Sequence, residues 1–159
     1  MKVLIISDTH GSTSAFDIVV EREKDIDMLI HLGDVERDEE YIEFMAKCPT
    51  VILAGNNDLF SRLPSERQMK IGKYEVFMTH GHPYYVSRDT VTLRRIAQER
   101  GANIVMFGHT HKPYFDIEGD VKVINPGSLS YPRQEGRQGT YIIMHLEPLG
   151  GVKFELKYV

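Results

Sequence analysis

The run Ile104-Val105-Met106-Phe107 ends in Gly108-His109-Thr110-His111. A buried strand fixes the backbone there, and Gly108 lets the chain turn. In an extended stretch alternate side chains point the same way, so His109 and His111 can aim at one place. Neutral imidazole is the commonest protein metal ligand, although an H-x-H taken alone reads equally well as two solvated loop histidines. Four other apolar runs close in the same manner. Lys2 to Ile6 leads to Asp8 and His10, Met28 to Leu32 to Asp34, Val51 to Ala54 to Asn56 and Asp58, and Tyr74 to Thr79 to His80. In open α/β sheets ligands bind beyond the carboxyl ends of strands. Two carboxylates, a carboxamide and four imidazoles would meet there. Desolvated carboxylates repel one another and cost free energy when unpaired, so the convergence calls for one or two divalent cations. Nitrogen and oxygen donors without thiolate suit Mn, Fe, Zn, Ni or Co better than Ca or Cu(I).

The elements that must hold these residues can be read from pattern. A helix is expected over about 13–24 with Phe16, Val19 and Val20 on one face, and an acidic helix over about 37–47 with Tyr41, Phe44 and Met45 as its stripe. A third helix carries Leu93, Ile96 and Ala97, with Asp89 or Thr90 as cap and Gly101 as stop. Gly72-Lys73 suits a two-residue type II′ hairpin between Met69–Ile71 and Tyr74–Thr79. Hairpin segments follow from residue 113, with a turn at Asn125-Pro126-Gly127-Ser128. In the last strand Val152, Phe154, Leu156 and Tyr158 alternate inward against Lys153, Glu155 and Lys157. The first half thus reads β-α-β-α-β and the second mostly hairpins. The expected fold is α/β: two mixed β-sheets packed as a sandwich, helices on the outer faces, in a single domain over residues 1–159.

Composition narrows the function. The 159 residues carry a net charge of −4, and no basic run stands out, so long nucleic acid is not an expected partner. Cys48 is the only cysteine, reads as a half-buried thiol, and forms no intramolecular disulfide. No apolar stretch nears the roughly 20 residues of a membrane span, and the strand-like Val3–Ile6 stands where a signal sequence would. A cytoplasmic location without membrane association is expected.

The order Asp8-x-His10, Gly33-Asp34, Gly55-Asn56, His80, Gly108-His109-x-His111 resembles the calcineurin-like metallophosphoesterase superfamily, in particular its small bacterial and archaeal phosphodiesterase branch. The likeness runs from residue 3 to about 128 and includes Asn125-Pro126-Gly127-Ser128. It implies one metal on Asp8, His10, Asp34 and His111, another on Asp34, Asn56, His80 and His109, and Asp34 as bridge. It also implies a metal-dependent phosphodiesterase whose two cations, Mn above Ni, Zn, Fe or Co, share a hydroxide that attacks phosphorus. The substrate would be a small phosphodiester or nucleotide-like molecule. Relatives often self-associate, so a homo-oligomer is compatible, and edge strands such as 152–158 could pair across its interface.

Two positions depart from that pattern. The superfamily usually has His after the metal-binding Asn, where Asn57 stands here; its amide can donate to a phosphoryl oxygen but cannot act as an acid. This departure predicts better turnover of esters with good leaving groups than of alkyl esters. Arg37 stands where Gly-Asp-x-x-Asp has its second Asp, with Glu36 and Asp38 as neighbouring carboxylates. Asn57 and His82 are the catalytic candidates, His82 as proton donor or phosphate contact and otherwise a solvated loop imidazole. Asp58 either orients a ligand or caps a turn. His31 reads as a hydrogen-bonded core histidine and His145 as structural, while Tyr84-Tyr85 and Arg133 could line a pocket. Two competing readings remain open: a phosphomonoesterase of the same fold, and a non-catalytic interaction scaffold resembling a retromer subunit.

Overall fold

The computed structural model describes residues 1–159. Ten strands form two five-stranded sheets. In chain order they are β1 (Lys2–Ile6), β2 (Met28–His31), β3 (Thr50–Ile52), β4 (Glu66–Ile71), β5 (Tyr74–Thr79), β6 (Ile104–Met106), β7 (Pro113–Asp116), β8 (Lys122–Pro126), β9 (Thr140–Leu146) and β10 (Val152–Tyr158). One sheet runs β10-β9-β1-β2-β3 and the other β4-β5-β6-β8-β7. Both are mixed, as expected: β1, β2 and β3 are parallel, as are β5, β6 and β8, while β9, β10, β4 and β7 run antiparallel to their neighbours.

Alternation along continuous apolar strands builds three layers of core. Val3, Ile5, Ile30, Leu32, Ile142 and Met144 of one sheet meet Val76, Met78, Ile104, Met106 and Ile124 of the other. The opposite faces of the same strands, Leu4, Ile6, Leu29 and Ile143, cover helices α1 (Ser14–Arg22) and α2 (Glu39–Ala46) through Phe16, Val19, Ile42 and Ala46. Phe77, Val105, Phe107 and Val123 do the same for α3 (Val91–Glu99) through Leu93 and Ala97. Strands buried on both faces read as unbroken apolar runs, and helices must cover them.

Three local readings need correction. The stripe of α2 is Ile42 and Ala46, with Met45 packed beside them, whereas Phe44 is 76% exposed and Tyr41 faces outward to bond Asp17. In β10 Tyr158 is exposed, and Lys157 is drawn in towards the buried carboxylate of Glu23. Residues 125 and 126, expected in a turn, end β8, where Pro126 pairs with Pro113. Proline is tolerated at the end of a ladder, where its missing N–H costs little.

His31 is the expected core histidine. It is fully buried, its Nδ1 accepts the Gly33 N–H at 3.2 Å, and its Nε2 lies 2.9 Å from Thr9 Oγ1. It thereby ties β2 to the loop between Asp8 and His10. Burial pushes this imidazole down to about 4. A depressed histidine contributes stability that is present above its unfolded value of about 6.5 and is lost as pH falls through 4. Unfolding of the metal-free protein should therefore lose about 3 kcal/mol between pH 6.5 and 4 on this account. Urea denaturation of wild type and His31→Gln across that range checks it; equal slopes would refute the assignment.

Candidate metal centre

The five parallel strands β1, β2, β3, β5 and β6 deliver their C-terminal loops to one rim of the sandwich. Asp8, His10 and Asp34 come from one sheet, and His80, His109 and His111 from the other. Asp8, His10, Asp34 and His111 each offer a ligand atom within 4.8 Å of the rest. Asp8 Oδ1 lies 3.2 Å from His111 Nε2, 3.8 Å from His10 Nε2 and 3.9 Å from His80 Nε2. Asp34 Oδ2 is 3.8 Å from His10 Nε2 and 3.4 Å from His80 Nε2, so it faces both groups of imidazoles. The His109 ring packs edge-on to that of His80 with centroids 5.2 Å apart.

Three of the imidazoles are oriented alike. Nδ1 of His10 lies 2.7 Å from Glu36 Oε1, Nδ1 of His80 2.8 Å from the Leu32 carbonyl, and Nδ1 of His111 2.7 Å from the Tyr131 carbonyl. Each partner is an acceptor, so each Nδ1 carries the proton and each Nε2 presents a lone pair inward. His10 and His111 bring these nitrogens to 3.2 Å of one another. Asp8 Oδ1 and His80 Nε2 are buried without any hydrogen-bond partner. Buried polar atoms are almost always satisfied. Lone pairs and carboxylates that converge unsatisfied fit a divalent cation.

Protonation behaviour agrees. Burial alone would depress His80 and His111, but the Asp34 carboxylate beside His80 and the Asp8 carboxylate beside His111 raise both. Burial would raise Asp34, yet His80 and the Asn57 backbone hold it well below the usual carboxylate range. The same carboxylates that favour positive charge on these imidazoles would favour a cation between them.

The backbone is shaped around the site. Asp8, His10, Asp34, His109 and His111 all adopt left-handed φ, between 49° and 67°, a region that non-glycine residues visit at a cost and that clusters at functional sites. Two glycines permit close approach. A Cβ on Gly55 would stand 2.1 Å from Asp34 Oδ1, and one on Gly108 2.0 Å from Ser7 Oγ.

Asp58 combines both roles expected of it. Its carboxylate accepts the backbone N–H groups of Asp34 (2.8 Å), Val35 (3.0 Å), Glu36 (2.7 Å) and Gly55 (2.7 Å). It caps the turn and thereby fixes the loop that carries Asp34 and Glu36. Ser128 Oγ donates to the Asp8 carbonyl at 2.8 Å, and Asn125 Nδ2 to the Gly108 carbonyl at 2.7 Å. The turn at 125–128 thus fastens the aspartate loop and the histidine loop together.

The remaining candidates divide. Asn56 is exposed, and it lies next to Asn57, whose backbone N–H donates to Asp34. Asn57 does reach the site, with its backbone N–H and its Nδ2 each 2.8 Å from an Asp34 oxygen. One N–H of its amide is thus engaged with Asp34, and the NH2 group has a second donor. His82 is half-buried, its ring 5.6 Å from His80 and 6.0 Å from His109, and burial lowers its pKa. Glu36, next to Arg37, orients His10 through its Nδ1. Tyr84 bonds Glu66 and packs on Phe77, away from the centre, and Tyr85 is exposed. His145 sits at the surface of β9 facing Glu155. The carbonyls of Leu32 and Tyr131 went unread because backbone acceptors leave no residue-type signal. The proximity of Glu36 to Gly33-Asp34 was the one available hint of its role.

Comparison with known proteins agrees with this geometry. Residues 1–148 match the model of the calcineurin-like phosphoesterase superfamily domain. The chain is similar to the probable metallophosphoesterase YsnB of Bacillus subtilis (strain 168), with 32% identity over 92% of this chain and 85% of that one. It is 27% identical to phosphodiesterase YfcE of Escherichia coli (strain K12), over 84% of this chain and 82% of the relative. Among solved structures, Vps29 of Entamoeba histolytica complexed with zinc has the same fold, with a TM-score of 0.79 at 20% identity over 99% of each chain.

Proposed function

We propose, from the premise that this chain belongs to the calcineurin-like phosphoesterase superfamily, that it hydrolyses small phosphodiesters at a centre of two divalent cations. The chain is a metallophosphoesterase; the diester preference, the number of cations and their identity as Mn are our reading. The observation that carries it is the inward set of three Nε2 lone pairs around two buried carboxylates, with Asp8 Oδ1 and His80 Nε2 unsatisfied. Asp8, His10, Asp34 and His111 would hold one cation. Asp34, Asn56, His80 and His109 would hold the other. When bound, the cations make a hydroxide nucleophile available near neutral pH and neutralise charge on the phosphoryl oxygens.

The chain's own residues do the rest. Glu36 and the two carbonyls keep the imidazoles in one tautomer. Asp58 holds the Asp34 loop rigid, and Asn57 positions the Asp34 carboxylate. His82, beside His80 and His109, lies where it can contact a phosphoryl oxygen. Asn57, standing where a histidine is usual, supplies no acid for an alkoxide leaving group. Aryl esters should therefore be turned over faster than alkyl esters. The name of the YfcE relative supports the diester reading. The Vps29 likeness concerns fold alone. No helix is long and apolar enough to cross a membrane, and we place the protein in the cytoplasm, free to meet soluble substrates.

The test strips the protein with chelator, restores Mn, and follows nitrophenol release from bis-p-nitrophenyl phosphate and from p-nitrophenyl phosphate. Mn-dependent cleavage of the diester, with two equivalents bound, is expected. Cleavage of the monoester alone would make it a phosphatase. Bound metal with no turnover under Mn, Ni, Co or Zn would favour the scaffold.

A further inference from the structure

An open cleft of about 680 Å³ adjoins the centre and shares His10 and His111 with it; its outer wall is formed by Tyr131, Arg133 and Arg137. All three lie on the segment between β8 and β9. That segment is built into the site. The Arg133 N–H donates to the His111 carbonyl at 2.9 Å, and Tyr131 supplies the acceptor for His111 Nδ1 at 2.7 Å. The Tyr131 ring stands edge-on to His10, with centroids 5.2 Å apart. Further along, the Arg137 N–H donates to the Gln134 carbonyl at 3.1 Å, and Arg137 itself holds a left-handed φ of 46°. The two arginines are therefore carried by a fixed loop.

Neither guanidinium has an acidic partner within 4.0 Å and neither donates a side-chain hydrogen bond, in contrast to Arg94, Arg95 and Arg100, which are all paired. The carboxylate of this cleft, Glu36, is bonded to His10 Nδ1 at 2.7 Å. Two unpaired arginines thus face one cleft on a chain whose net charge is −4. The scissile phosphoryl group belongs over the metal ligands, so these arginines are free for something else. Guanidinium groups match phosphate oxygens by paired N–H donors.

We propose that Arg133 and Arg137 receive a second phosphate of the substrate, one ester arm removed from the scissile phosphorus. The proposal rests on the phosphodiesterase reading and narrows its substrate class to phosphodiesters that bear an additional terminal phosphate. The arginines act on binding and orientation, while bond breaking stays at the metal centre.

The experiment compares two esters with one leaving group: p-nitrophenyl thymidine 5′-phosphate, and the same compound phosphorylated at the 3′ oxygen. The Mn-loaded wild type should favour the second by about tenfold in kcat/KM at low salt, and the preference should shrink as salt rises. In Arg133→Gln/Arg137→Gln the ratio of the two kcat/KM values should fall to near one. Calorimetric binding of thymidine 3′,5′-bisphosphate against thymidine 5′-monophosphate to the Mn-loaded proteins should show the same loss of discrimination. Equal kcat/KM for the two esters in an active wild type would overturn the second-phosphate site alone, as would an unchanged ratio in the double variant. Failure of the Mn-loaded wild type to cleave either ester would overturn the phosphodiesterase reading, and this inference with it.

Discussion

Asp34→Ala should abolish hydrolysis while leaving the fold intact. Asp34 Oδ2 faces His10 and His80 at once, at 3.8 and 3.4 Å, so its loss removes one of the two carboxylates that face both groups of imidazoles. The cations supply several kcal/mol of charge stabilisation, and turnover of bis-p-nitrophenyl phosphate at saturating Mn should drop by about 10³-fold or more. Metal content should fall below one equivalent after gel filtration. The fold should persist because Asp34 belongs to none of the three apolar clusters; far-UV circular dichroism and cooperative unfolding would report this. A variant that kept two equivalents of Mn and its turnover would show that Asp34 is not the shared ligand.

Asp58→Ala should be costly for a different reason. The substitution leaves the N–H groups of Asp34, Val35, Glu36 and Gly55 without their acceptor. A buried donor left unpaired costs about 1–3 kcal/mol, and water will reach some of these half-buried groups. A net loss of about 3 kcal/mol is expected in urea denaturation. Release of the loop also frees Asp34 and the Glu36 partner of His10, so Mn affinity should weaken by roughly 10–100-fold, as for other residues that orient metal ligands. Asp58→Asn keeps one acceptor oxygen but turns an NH2 towards the donors, and should fall between Ala and wild type. Wild-type stability together with wild-type Mn affinity in Asp58→Ala would show that the clamp does not position the site.

The candidate metal-binding cluster was legible in the sequence because each of its residues follows an apolar run. Val3–Ile6, Leu29–Leu32 and Ile104–Phe107 can only be strands buried on both faces, and polar residues just beyond such strands must gather at one rim. Helix phase was less legible. In α2 apolar residues stand at 41, 42, 44, 45 and 46, and a helix of two turns leaves several faces equally apolar; the sheet selects Ile42 and Ala46. Lys157 obeys strand alternation in sequence but turns inward to Glu23, because a buried carboxylate attracts a cation more strongly than the pattern repels it. The tautomer-setting carbonyls of Leu32 and Tyr131 belong to chain geometry and carry no residue type. The two amide contacts of Asn57 to Asp34 were not legible either, because they depend on how the loop after β3 folds back on the Asp34 loop.

The apolar contact between the two sheets contains none of the site residues. The inter-sheet core and the candidate ligands therefore draw on separate sets of side chains, while Asp58 serves both the loop and the site. The residues that point into the site can change with little effect on the apolar framework beneath them, provided that the Asp58 clamp on the loop is kept. A lineage built on this sandwich is free to change its reaction, or to give up reaction altogether and live by its outer surface, and its descendants would still be recognisable by shape long after their ligands had gone.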